Sequence, residues 1–132
     1  MTCHDQNKPL IDTDVSKKVL LVGNPNVGKS VIFSRLTGFE VSSANYSGTT
    51  VSYTKGIIRT LGNQALLIDV PGIYSLDANS QAEQVAVNMI NEGADLIIYV
   101  LDATHLERNL TLALQLKSYG IPMVFALNIA DV

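Results

Sequence analysis

The chain has 132 residues, 47% of them hydrophobic and 16% charged, with a formal net charge of −3. That length suits one domain burying roughly two-thirds of the surface its unfolded chain exposes, and the composition excludes a disordered tail, a collagen-like repeat and a disulfide-stapled miniprotein. The acidic balance argues against nucleic-acid and anionic-membrane binding, no signal peptide or apolar run of about 18 residues is present, and a single cysteine, Cys3, fits a reducing cytosol; a soluble intracellular domain is expected.

Residues 1–16 are polar and aperiodic and read as a flexible leader, with Cys3, His4 and Asp5 solvated there rather than holding a metal. Val19 to Val22 is a continuous apolar run, as a parallel strand covered on both faces requires. Gly23 stops it, and a helix is expected from Lys29 to Thr37. Gly38 to Thr50, rich in Ser, Thr, Gly and Asn, reads as a long loop. Val51 to Thr60 and Gln64 to Asp69 flank Gly62-Asn63 and predict an antiparallel hairpin. Ser80 with Glu83 forms a capping-box pattern ahead of a helix ending near Asn91, with Gly93 beyond. Leu96 to Leu101 predicts a strand. Thr104 with Glu107 repeats the capping box before a helix through Ser118, stopped by Gly120 and Pro122. Met123 to Leu127 is the last expected strand. The alternation predicts an α/β domain: a mostly parallel sheet, helices on both faces, ligands at the carboxyl ends of the strands.

The strongest feature is Gly23-Asn24-Pro25-Asn26-Val27-Gly28-Lys29-Ser30, which fits the phosphate-loop pattern G-x-x-x-x-G-K-[ST]. Gly23 and Gly28 permit conformations that turn amide N–H groups around a polyphosphate, and the following helix adds its positive dipole end. Lys29 supplies charge for the β- and γ-phosphates, and Ser30 offers a hydroxyl to Mg²⁺. A chance glycine-rich turn is the competing reading, and the strand before and helix after the motif disfavour it.

Asp69-Val70-Pro71-Gly72 places a carboxylate at a strand's end, where it can hold Mg²⁺ through water, and an amide at Gly72 that can sense a γ-phosphate. Asn128-Ile129-Ala130-Asp131 ends the last expected strand. The Asp131 carboxylate can accept two hydrogen bonds from guanine and reject adenine, while Asn128 ties this loop to the phosphate loop. Thr50, then Thr49, are the candidates to close over Mg²⁺ and the γ-phosphate; an ordinary polar loop reads equally well from the residues alone.

The order G-N-P-N-V-G-K-S, threonine loop, D-V-P-G, N-I-A-D resembles a Ras-like small GTPase, a P-loop NTPase. N-Y-S-G-T-T-V, D-V-P-G-I-Y-S-L and D-A-T-H-L-E-R-N-L-T-L-A-L-Q-L are similar to the G domain of the bacterial ferrous-iron transport protein B family, over nearly all of Lys17 to Asp131. The resemblance implies a G domain at 17–132 on the cytoplasmic side of the inner membrane, binding GTP and GDP with Mg²⁺ and coupled to helical and membrane domains that pass Fe²⁺. It aligns Thr50 with the switch-one threonine and Asn26 with an asparagine that helps hold K⁺ in potassium-activated relatives. Lys29, Thr50 and Gly72 then carry catalysis. Ile73 stands where Ras-like proteins place a water-orienting glutamine, which implies slow hydrolysis without a side-chain general base. Ile129 replaces the lysine common in guanine-reading motifs.

Compared with a Ras-like domain, the final strand, second guanine loop and last helix are expected to be missing after Asp131. The resulting apolar sheet edge at Met123 to Leu127 predicts a homodimer, with element exchange one route to it. A nucleotide-dependent interaction module with negligible turnover is the alternative function. An ATPase is disfavoured by Asp131, and His105 reads as a loop residue rather than a metal ligand.

Overall fold

Val19, Leu20, Leu21 and Val22 are all buried at the centre of β1 (Lys17–Gly23), the first strand of a computed structural model that describes residues 17–38, 41–60 and 63–128. Successive side chains of a strand point to opposite faces, so this unbroken apolar run feeds two cores at once. Leu20 and Val22 pack with Val85 and Met89 of α2 (Gln81–Asn91) and with Leu112 and Leu116 of α3 (Leu106–Lys117). Val19 and Leu21 pack on the other face with Phe33 of α1 (Lys29–Thr37). Burying each such side chain stabilises by about 1.5–3 kcal/mol, so both faces are strongly specified.

The remaining strands are β2 (Val41–Asn45), β3 (Ser52–Thr60), β4 (Asn63–Asp69), β5 (Leu96–Asp102) and β6 (Met123–Asn128). They form one sheet in the order β2-β3-β4-β1-β5-β6. β1 lies parallel to both neighbours, with Leu20 opposite Ile68 of β4 and Ile97 of β5, and β6 runs parallel to β5. The β3–β4 hairpin is antiparallel and closes at Thr60 opposite Asn63. This is the expected α/β architecture. The leader at 1–16, Gly62, and the stretch 129–132 with Asp131 lie outside the described residues.

Three local expectations change. The stretch expected as loop from Gly38 to Thr50 contains β2, paired antiparallel to β3 with Ser43 opposite Thr54. An edge strand is ordered by main-chain pairing, so the mostly polar sequence Val41-Ser-Ser-Ala-Asn45 shows no apolar alternation to read. The Thr104–Glu107 capping box does not form. Asp102 instead accepts hydrogen bonds from the Thr104 amide (2.9 Å) and hydroxyl (2.8 Å) and starts a 3₁₀ turn at Ala103–His105, while α3 begins at Leu106 without a side-chain cap. An aspartate reaching the amide two residues ahead outcompetes the threonine one turn later. At α2, Ser80 does accept from the Glu83 amide (3.1 Å), but the Glu83 carboxylate returns to the amide of Asn79 rather than Ser80.

β6 forms one edge of the sheet among the described residues, and its Val124, Phe125 and Leu127 are 51–58% exposed. No helix among the described residues is long and apolar enough to cross a membrane.

Candidate functional site

The carboxyl end of β1 turns directly into α1 through Gly23–Gly28, with Asn26 (φ 66°) and Gly28 (φ 90°) both left-handed. At Gly28 this conformation meets a second constraint. A Cβ there would lie 2.0 Å from Nδ2 of Asn128, which donates a 2.8 Å hydrogen bond to the Val27 carbonyl. The last strand is thus pinned over the loop, as the sequence predicts for Asn128. Pro25, Asn26, Gly28, Lys29, Ser30 and Gly72 line a cleft of about 480 Å³.

The Asp69–Gly72 segment is laid against this loop by the backbone. The Val70 amide donates to the Leu21 carbonyl (3.0 Å) and the Ile73 amide to that of Gly23 (3.1 Å), extending the parallel pairing past the end of β4. Glycine is needed at 72, because a Cβ would sit 2.9 Å from Cα of Pro25. Lys29 Nζ donates to Asp69 Oδ1 (2.5 Å) and to the Val70 carbonyl (2.9 Å), with both side chains mostly buried. The residues expected to meet phosphate and Mg²⁺ are therefore already in contact. Gly23 and Asn24 are buried behind the cleft, and Val27 packs into the α1-side core. Ile73 is 2% exposed in the opposite core and presents no side chain to the cleft.

The threonine loop is placed elsewhere. Thr49 donates to the Tyr46 carbonyl (2.9 Å) and accepts from the Val51 amide (3.1 Å), which builds the turn into β3. The Thr50 hydroxyl faces Oε1 of Gln81, the first residue of α2, at 3.4 Å. Neither threonine lines the cleft. Tyr46 extends the same attachment, its hydroxyl donating to Glu92 at 2.6 Å. That carboxylate stabilises the neutral phenol and pushes the Tyr46 pKa up to about 12. Because the folded-state value is the raised one, the stabilisation is complete below about pH 10 and disappears as pH climbs through 12. In a tyrosinate absorbance titration, Glu92→Gln moves one late-titrating tyrosine back toward 10; an unchanged curve would show that Glu92 is not the cause.

One residue that sequence reading passed over completes the picture. Asn109 lies on the buried stripe of α3 with Leu112, Ala113 and Leu116. Its carbonyl accepts from the hydroxyl of Tyr99, a phenol that burial pushes up to about 12, and its Nδ2 donates to the His105 carbonyl at 2.5 Å. A polar residue on an apolar helical stripe was the available signal. His105 itself contacts Thr104 and Asp102, whose carboxyl is held below its ordinary value chiefly by the Thr104 amide. No three His, Cys, Asp or Glu side chains gather at metal-ligand distances among the described residues.

A glycine-kinked loop between the central strand of this mostly parallel sheet and the helix after it defines a P-loop GTPase fold. The chain belongs to a family within that class: the model of the family described as ferrous iron transport protein B matches residues 17–132. The curated Fe(2+) transporter FeoB of Salmonella typhimurium (strain LT2) is 46% identical over 117 residues, covering 85% of this chain and 15% of the transporter. The chain thus spans less than a fifth of that relative's length. Among solved structures, the cytosolic domain of L. pneumophila FeoB superposes with a TM-score of 0.82 at 43% identity, covering 86% of this chain and 45% of that one. A variant of S. thermophilus NFeoB bound to GDP gives 0.81 at 39% identity, with the same two coverages.

Proposed function

We propose that residues 17–132 form a G domain that binds GTP and GDP with Mg²⁺, hydrolyses GTP slowly, and regulates a ferrous-iron transporter from the cytoplasmic side of the membrane. The carrying observation is the cradle itself: Gly28 pinned beneath Asn128, with Gly72 laid on Pro25. These two contacts hold the loop between β6 and the Asp69–Gly72 segment, so that its left-handed turns at Asn26 and Gly28 are fixed as a backbone anion site demands. The GDP-bound S. thermophilus relative supports the same ligand.

In this reading the amides of Asn26 to Lys29 and the Lys29 ammonium take the β- and γ-phosphates. Ser30 and Asp69 hold Mg²⁺, both oxygen donors as a hard cation requires, and Asn26 on the cleft wall holds K⁺. Mg²⁺, when bound, neutralises charge on the transferring phosphoryl group. Asn128 fixes the base-reading loop, and Asp131 selects guanine. Thr50 leaves Gln81 to close over the cleft. Gly72 offers its amide to the γ-phosphate. The exposed edge of β6 is where a second copy pairs, making a homodimer.

A second reading, an interaction module with negligible turnover, is favoured by one observation: Ile73 is buried, so no side chain at that position orients water. Phosphate release under single-turnover conditions, in K⁺ and then in Na⁺, separates the two. Measurable release that K⁺ accelerates supports the GTPase; GDP binding without release supports the module. Ile73→Gln does not speed release and lowers stability by about 1–3 kcal/mol, because an amide enters an apolar core. Faster release in that variant would return the catalytic role to this position.

A further inference from the structure

Behind the phosphate loop, on the side facing α3, lies a second cavity of about 120 Å³ that shares Pro25 and Asn26 with the cleft. Asn24 reaches it from the loop and Asn109 from the first turns of α3; they are 2% and 0% exposed. Neither polar atom of the Asn24 side chain has a hydrogen-bond partner, nor has Oδ1 of Asn109. Buried polar groups are almost always satisfied, and leaving two amides in this state is costly. Something that donates to both oxygens and accepts from the Asn24 amino group must complete them.

The lining identifies the class of occupant. Asp102 and Arg108 at the cavity wall bring one formal charge of each sign, so neither an anion nor a cation is selected. The unpaired buried groups comprise acceptors and a donor, which calls for a neutral molecule that is both. The volume admits several waters, each taking on the order of 30 Å³ of liquid. Asn109 is held rigidly enough to aim such a network, because Tyr99 and the His105 carbonyl fix it from two sides.

We propose that this cavity binds ordered water bridging Asn109 to Asn24, and that Asn109 is thereby a positioning residue for the phosphate loop. The bridge sets the backbone at the root of the loop from a helix that contributes no residue to the lining of the cleft. Its value to nucleotide binding rests on the function proposed above, but the bridge itself does not.

The test is made on the unliganded 132-residue chain. Protein–water cross-relaxation is expected between long-lived water and the Asn24 and Asn109 side-chain amides. Asn109→Leu, which removes the amide oxygen, is expected to speed hydrogen exchange of the Ile73 amide, bonded to the Gly23 carbonyl at the root of the loop, at least tenfold beyond any change at the core amides of Leu20 and Val22. Asn109→Ser keeps an oxygen that can both accept and donate to the His105 carbonyl four residues back, and is expected to change it less than threefold. In an Asn24→Ala background, Asn109→Leu should add little, since the second partner is already gone. Additive effects, or the absence of water cross-peaks, overturn the proposal. If Asn109→Leu does not fold, the cross-peaks and the Asn109→Ser and Asn24→Ala variants carry the same decision. A separate GDP titration tests the nucleotide reading, so failure there leaves these measurements intact.

Discussion

Replacing Gly28 with alanine lowers GDP affinity by about 100-fold or more, equivalent to roughly 2.7 kcal/mol. Two costs combine. The left-handed backbone at φ 90° penalises any Cβ by roughly 1–2 kcal/mol. The new methyl would also stand 2.0 Å from Nδ2 of Asn128, so the 2.8 Å hydrogen bond to Val27 must break and the end of β6 must lift from the loop. Adding Asn128→Ala relieves the clash but neither the backbone strain nor the lost tie, so affinity recovers only in part. Titration calorimetry with GDP, paired with thermal unfolding, reads both costs. Affinity within threefold of the parent chain would mean that this loop is not the phosphate site.

Lys29→Ala is expected to cost a comparable loss of affinity, about 10- to 100-fold, since a charge-assisted hydrogen bond contributes roughly 1.5–3 kcal/mol. It also damages the fold itself. Lys29 is the partner of Asp69, whose side chain is only 20% exposed, and removing the cation leaves that carboxylate without its cationic partner. An unpaired group of this kind lowers stability by about 1–3 kcal/mol. The double variant Lys29→Ala/Asp69→Asn separates the two effects: stability returns, nucleotide affinity does not. Recovery of both would show that Lys29 serves the fold rather than the phosphate.

The central strand and its loop were legible because their physics is local. Four consecutive apolar residues at 19–22, stopped by Gly23, fit a strand covered on both faces, and the glycine–lysine–serine order after them admits few turns. Asn128 was also legible, since its place at the carboxyl end of β6, beside the loop, fixes what it can reach. β2 was not, because an exposed edge strand is stabilised by backbone pairing with β3 and needs no pattern of its own. The start of α3 misled for a related reason: Asp102 and Thr104 are both good caps, and only the strand's end geometry lets the aspartate act first. Asn109 shows the limit from the other direction. Its spacing places it on the buried stripe, yet only packing reveals that it lines a cavity with Asn24 and that its side-chain oxygen has no partner.

Tyr46 and Thr50 attach one loop to the two ends of α2, at Glu92 and Gln81. Both contacts are exposed, so each is worth only about 0.5–1.5 kcal/mol. Together they add about 1–3 kcal/mol to the cost of moving this loop, on top of the packing of Tyr46 and Val51 against the core, and set the fraction of molecules in which it is free to move. A nucleotide that needs Thr50 over its phosphates therefore binds with an apparent affinity scaled by that fraction. Strengthening or weakening a surface contact at Glu92 then becomes a way to tune the sensitivity of the cleft without altering a single residue that lines it.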